Sequence, residues 1–309
     1  MTSSFSQTPF GSILCPVDFS THAKRALEYA ARVAHRSGGS LNVLFVNDPL
    51  LVSAAAAAYD ERALASRSRA ELDRFVRQTL KSRAPAGNRI RTFVTMGDPA
   101  REILSAARKL DARLIVLGSE GLSGASKLFF GSTTARVLAG AVVPILAVPP
   151  HGSGPGRSGW PGRRVLAAVT LGRHATRDVA AAAGLTRWLG ATLALTHVVE
   201  PARLPAWLSP GAGRHEKSRV ASARRQLAQL ANGAGSAGFA DAHVLVGEPA
   251  SRISALASEL GAGLVVVTLR KGPGILGSRQ GRITYQVVRQ AGVPVLALPS
   301  AWSPDRRRA

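Results

Sequence analysis

Residues Gly118–Thr133 read GSEGLSGASKLFFGST. Before it stands Leu114-Ile115-Val116-Leu117, an unbroken apolar run of the kind a parallel strand buried on both faces requires. After it comes Ala135-Arg136-Val137-Leu138-Ala139, which reads as a short helix. A strand, a long glycine-bearing loop and a helix start are the parts of an anion site. Glycine lets the backbone approach a ligand closely and takes positive φ without strain. Free N–H groups and the positive dipole end of the helix then face the charge. Gly118, Gly121 and Gly131 supply the small residues, and the hydroxyls of Ser132, Thr133 and Thr134 add donors at the same place. Taken alone, the loop has a second reading: glycine-rich loops follow many strands, and Gly118 can simply turn the chain.

Upstream, Ser12–Val17 reads as a first strand ending at Asp18. Ser20 is placed to cap a helix through Arg36, with Ala23, Ala26, Leu27, Ala30, Val33 and Ala34 at helical spacing. Leu41–Val46 is a second strand, Ala56 to Ser82 a long amphipathic helix, and Ile90 to Val94 a third strand. Asp98 caps a further helix with Pro99 in its first turn, running to Leu110. Val143–Val148 makes a fifth strand after the loop and its helix. Strands alternating with helices indicate a doubly wound parallel sheet.

Residues 151–162 are dense in glycine and proline and read as a linker. After them the pattern restarts. Val165–Val169 echoes the first strand, and Leu193–Pro201 echoes Leu41–Pro49. Gly247-Glu248-Pro249 echoes Gly97-Asp98-Pro99, and Gly292–Leu296 echoes Val142–Leu146. A repeat this long is a duplicated domain. The expected organisation is a domain over 1–150, the linker, a second domain over 163–300 and a basic tail over 301–309.

The glycine spacing, with two and then nine residues intervening before Gly131-Ser132, resembles the G-2x-G-9x-G-(S/T) signature of the ATP-binding branch of the universal stress protein family. Both halves of the chain resemble that family almost throughout. The resemblance implies two Rossmann-like α/β domains, each a five-stranded parallel sheet in the order 3-2-1-4-5. Ligands of such sheets bind beyond the strand ends where the order reverses, here between strands one and four. It further implies that Pro16, Val17 and Asp18 line a nucleoside pocket, that Val46 offers a backbone contact to adenine, and that ATP is the cofactor, with or without Mg2+. Asp18 has three readings: an acceptor for ribose hydroxyls, a magnesium ligand, or a helix-entry residue. In the second half, Thr170 stands for the aspartate, Thr268 and Lys271 for the first two glycines, and Arg282 for Ser132. A β-branched residue resists positive φ and takes up room against phosphates. One nucleotide per chain is therefore expected, in the first domain, with the pocket geometry of the second lost. The family pairs fifth strands across a two-fold axis, which implies an internal pseudo-dimer and, beyond it, a possible homodimer.

Bulk properties limit the alternatives. The net charge is +22; residues 1–150 carry 19 Lys and Arg against 11 Asp and Glu, and the remainder 21 against 7. Such a field attracts polyanions. The cations are nearly all arginine spread over helices, with no aromatic-interleaved strip or reader motif, so solvated helix faces explain them better than a nucleic-acid surface. No apolar run is long enough for a membrane span, the N-terminus has no export signal, and the one cysteine, Cys15, suits a cytoplasmic location. The seven histidines show no metal-ligand spacing, and neither a GxSxG elbow nor a Walker-type lysine occurs. Glu120 in the loop reads as a solvated carboxylate or a water-orienting group, and any hydrolysis is expected to be slow. The leading expectation is an ATP-binding stress regulator. Its rivals are a nucleotide hydrolase or adenylating enzyme, and a basic module for nucleic acid or anionic membrane.

Overall fold

A computed structural model describes residues 9–49, 52, 61–81, 90–119, 132–151, 160–201, 212–233, 239–269, 279–300 and 302, and the chain divides into two units between residues 157 and 158. The first unit contains β1 (Ser12–Val17), α1 (Thr21–Ser37), β2 (Ser40–Asn47), α2 (Glu61–Leu80), β3 (Ile90–Met96), α3 (Pro99–Lys109), β4 (Leu114–Gly118), α4 (Ser132–Gly140) and β5 (Ile145–Val148). Its strands are all parallel, in the order β3-β2-β1-β4-β5.

Local chemistry sets the ends of these elements. Ser20 holds an extended backbone, and its hydroxyl accepts the Ala23 N–H at 3.1 Å, starting α1. Gly38 ends it in the left-handed region at φ 61°, a conformation glycine takes without a Cβ penalty. The six apolar positions read from spacing are all buried, joined by Tyr29 and Ala31. Each fully buried Leu or Val contributes roughly 1.5–3 kcal/mol. They pack on β1 and β4, whose Ile13, Leu14, Leu114 and Ile115 are at most 1% exposed. Cys15 lies in the same layer, and burial pushes its thiol far above the usual range. The buried Asn42 amide donates to Ser12 Oγ at 3.2 Å and to the Ile13 carbonyl at 3.3 Å, tying β2 to β1.

β1 pairs with β2 along its whole length, from Ser12 to Val17, but with β4 only at Ile13 and Leu14. The β1–β4 register ends at Leu14, at the point where strand order reverses, which is where open α/β sheets bind their ligands. Pro16, which has no N–H to give, lies past the last residue bonded to β4.

The second unit repeats the plan with β6 (Arg164–Ala168), α5 (Ala175–Leu189), β7 (Thr192–Val199), α6 (Ala212–Gly233), β8 (Phe239–Val246), α7 (Pro249–Glu259), β9 (Leu264–Leu269), α8 (Arg279–Gln290) and β10 (Val295–Pro299). Its parallel order is β8-β7-β6-β9-β10. Trp160, which the sequence assigns to the linker, donates its indole N–H to the Gly263 carbonyl at 2.8 Å. Any side chain at Gly263 would run into the Pro161 carbonyl, so this corner tolerates only glycine.

The helix after the loop and the fifth strands differ from their sequence-based bounds for physical reasons. The helix expected at Ala135 begins at Ser132, because the hydroxyl-bearing residues join its first turn. The first unit's fifth strand begins at Ile145 rather than at Val143, and its counterpart begins at Val295. Pro144 and Pro294 cannot donate to a ladder; each contributes only its carbonyl, to Ile115 N–H and Val265 N–H, both at 3.0 Å.

Candidate functional site

The crevice of the first unit is framed by the ends of β1 and β4 and by the start of α4. Pro16 is half-buried and Val17 is buried at the end of β1. Asp18 follows, and its Oδ1 accepts both the Ser20 N–H, at 3.1 Å, and the Ser20 hydroxyl. The helix-entry reading of Asp18 is thus part of its role: it holds the residue that caps α1. Val46, near the end of β2, is half-buried and lies in register with Thr95 of β3.

Gly118 ends β4, half-buried. The Thr134 hydroxyl donates to its carbonyl at 2.9 Å, and Thr134 is 5% exposed. The sequence suggests Thr134 as a further donor to an anion; its donor is engaged inside the unit instead, and the residue ties the first turn of α4 to the end of β4. Ser132 is exposed and Thr133 half-buried in that same turn. Starting the helix at Ser132 places the unpaired N–H groups and positive dipole end of α4 immediately after the loop. Gly121, Gly131 and Glu120 lie outside the described residues.

Spacing alone does not reveal an aromatic cluster beside Asp18. Phe19 has φ 63°, uncommon for a bulky residue. Its ring lies 4.3 Å from that of Phe45 and 5.4 Å from that of Phe75, the latter edge-on. The available signal is the apolar residue directly after a strand-ending aspartate; nothing local points to Phe75, which arrives from α2.

In the second unit a cavity of about 470 Å³ lies over the ends of β6, β7 and β9, lined among others by Val169, Thr170, Val198 and Thr268. Leu171, His197 and Gln226 stand where the first unit has Phe19, Phe45 and Phe75; Gln226 follows buried Ala223 by three residues, as Phe75 follows buried Leu72. The threonine link recurs, with the Thr284 hydroxyl 3.5 Å from the Thr268 carbonyl.

Two doubly wound α/β units, each with its strand order reversing between its two central strands, define a tandem Rossmann-like protein. The chain belongs to the universal stress protein family, which it matches over residues 9–149 and again over 162–299. The "Universal stress protein in QAH/OAS sulfhydrylase 3'region" of Thermus aquaticus is 34% identical over 139 residues, 45% of this chain and 98% of that protein. A crystal structure of a universal stress protein from Archaeoglobus fulgidus shares the fold at a TM-score of 0.65 and 22% identity, covering 94% of this chain and 97% of that one. Another universal stress protein from Archaeoglobus fulgidus, solved in complex with dAMP, is 23% identical over 44% of this chain and 97% of its own, at a TM-score of 0.34. Among the described residues, no helix is long and apolar enough to cross a membrane.

Proposed function

We propose that this chain is an ATP-responsive stress regulator that holds one ATP in its first unit. The observation that carries the reading is the start of α4 at Ser132, directly after the loop and tied back through Thr134 to the strand-ending Gly118. Backbone N–H groups there would meet the phosphates, and Pro16, Val17 and Val46 would form the wall for the nucleoside. Asp18 stands at the mouth as a ribose acceptor. A magnesium ion would take this carboxylate together with phosphate oxygens and water, which suits a metal that keeps several of its waters. The loop from Gly121 to Gly131 supplies the remaining contacts, and its occupancy alters the face offered to partners.

The test is to extract nucleotide from the purified chain, identify it by mass, and then titrate the emptied protein with ATP by equilibrium dialysis. One ATP per chain with little turnover is expected. Two per chain, or none at millimolar nucleotide, overturns the reading; steady turnover at roughly 1 s⁻¹ or above moves it to an enzyme.

A pairing of the two fifth strands within one chain, and a further homodimer, are proposed from the family resemblance alone. Cysteine pairs placed one in each fifth strand should cross-link within the chain, and sedimentation analysis distinguishes monomer from dimer. Cytoplasmic residence is proposed on the same footing, and fractionation of expressing cells checks it.

A further inference from the structure

We infer that the crevice of the second unit binds a small organic carboxylate with an apolar body. The cavity of about 470 Å³ is of the size that holds such ligands. Its inner wall is apolar, lined by Val169, Ile253, Val267 and Ile283. Arg219 of α6 also lines the cavity. This half-buried guanidinium donates to the Glu200 backbone carbonyl at 3.0 Å, and among the described residues it has no carboxylate partner. A guanidinium presents five donors in a planar fork that matches a carboxylate, so one backbone carbonyl leaves most of that capacity unspent.

Two further groups point to an occupant. Thr196 is fully buried, lines the same cavity, and its hydroxyl has no partner; buried polar atoms are nearly always satisfied, so an orphan here marks room for a ligand oxygen. The His197 ring is fixed by its Nδ1, which sits 2.9 Å from the Val169 carbonyl and therefore carries a proton, leaving Nε2 as an acceptor in the neutral ring. Glu200 stands at the same mouth, but the surplus of cations in this half, 21 against 7 over residues 151–309, favours an anionic guest. A triphosphate is disfavoured because the strand β9 ends in Thr268 and Leu269 instead of glycine.

This site is independent of the proposed ATP crevice, which belongs to the other unit, and its test uses the full chain. Octanoate is the probe, with octan-1-ol as its uncharged counterpart, each titrated by calorimetry with and without saturating ATP. One octanoate per chain is expected, bound at least about tenfold more tightly than octanol. Arg219→Gln should remove that preference, and Arg219→Glu should abolish octanoate binding, with circular dichroism unchanged because the side chain is half-exposed. Equal affinity for acid and alcohol assigns the cavity to neutral guests and overturns the inference. So does octanoate binding that Arg219→Gln leaves intact, or no binding at millimolar probe. Displacement of octanoate by ATP also overturns it, by making the crevice a nucleotide site. Asp18→Ala should not change the octanoate titration, so a failed ATP reading and a failed carboxylate reading give different results.

Discussion

At the end of the first unit's central strand, an aspartate, a phenylalanine and a serine follow one another; 152 residues later their places are taken by Thr170, Leu171 and Gly172. Three physical consequences follow. Ser20 caps α1, whereas α5 begins at Ala175 behind His174, which makes no side-chain cap bond. Phe19 anchors rings from β2 and α2, whereas Leu171 and His197 line a cavity. Asp18 puts a carboxylate at the crevice mouth, whereas Thr170 puts a neutral hydroxyl there. The two units share the sheet and helices, which depend on buried apolar residues, and differ in the chemistry at the end of the central strand.

The comparison breaks most readily in the cores. Leu14 and Leu166 are both fully buried in their central strands. Truncating either to Ala should cost about 2–5 kcal/mol through lost transfer energy and a residual cavity. If the units are separately stable, Leu14→Ala lowers one calorimetric transition and Leu166→Ala the other. A single transition that moves equally in both variants shows that they unfold together.

The ligand contrast comes next in size. Asp18→Ala removes a charged acceptor from the first crevice and should weaken ATP binding roughly 10- to 100-fold, as loss of a hydrogen bond to a charged group does. Thr170→Ala should leave ATP affinity unchanged. Equal losses in the two variants would place nucleotide in both units.

Much of this contrast is legible in the sequence, and the limits have a physical basis. β1 is readable despite Pro16 because its apolar run fits a strand covered on both faces. The cap at Asp98 is readable because Asp-Pro at a helix start has one local meaning. The spacing of Gly118, Gly121, Gly131 and Ser132 marks the parts of the proposed site, since backbone approach to an anion constrains residue type locally. The Thr134 link to Gly118, the Phe19–Phe75 contact and the cavity beside Ala223 are not readable. Each depends on which residues two distant elements bring together, and sequence spacing carries no such information.

A smaller effect concerns the caps. Ser20→Ala should lower the stability of the first unit by about 1 kcal/mol, while His174→Ala removes no cap bond and, at an exposed contact with Arg173, should cost less, within about 0.5 kcal/mol. Urea unfolding followed separately for each unit measures the difference. An equal cost at both positions would mean that the second unit finds a cap by another route.

The smallest contrast is electrostatic and separates the units by salt as well as by pH. Asp98 and Glu248 cap α3 and α7 in corresponding places. The Asp98 carboxyl is held below its ordinary range first by the Arg136 guanidinium, which reaches its two oxygens at 2.6 and 2.8 Å, and then by the Arg101 N–H. At Glu248, burial pushes upward, but the N–H groups of Ser251 and Ala250 outweigh it and the net shift is also downward. Both groups ionise more readily folded than unfolded, so each stabilises fully above the unfolded carboxylate range, near pH 4, and that stabilisation fades as pH falls through the lower folded value. The sources differ: position 286, 150 residues after Arg136, is glutamine, so Glu248 relies on backbone donors. Raising salt should therefore flatten the acid sensitivity of the first unit, whose exposed ion pair is screened, and leave that of the second nearly as it was. Arg136→Gln should give the first unit the salt response of the second. Because Arg136 belongs to the helix whose first turn flanks the loop, a change in ATP affinity in the same variant would show that the cap of α3 and the nucleotide crevice share one element; unchanged affinity would confine the ion pair to stability.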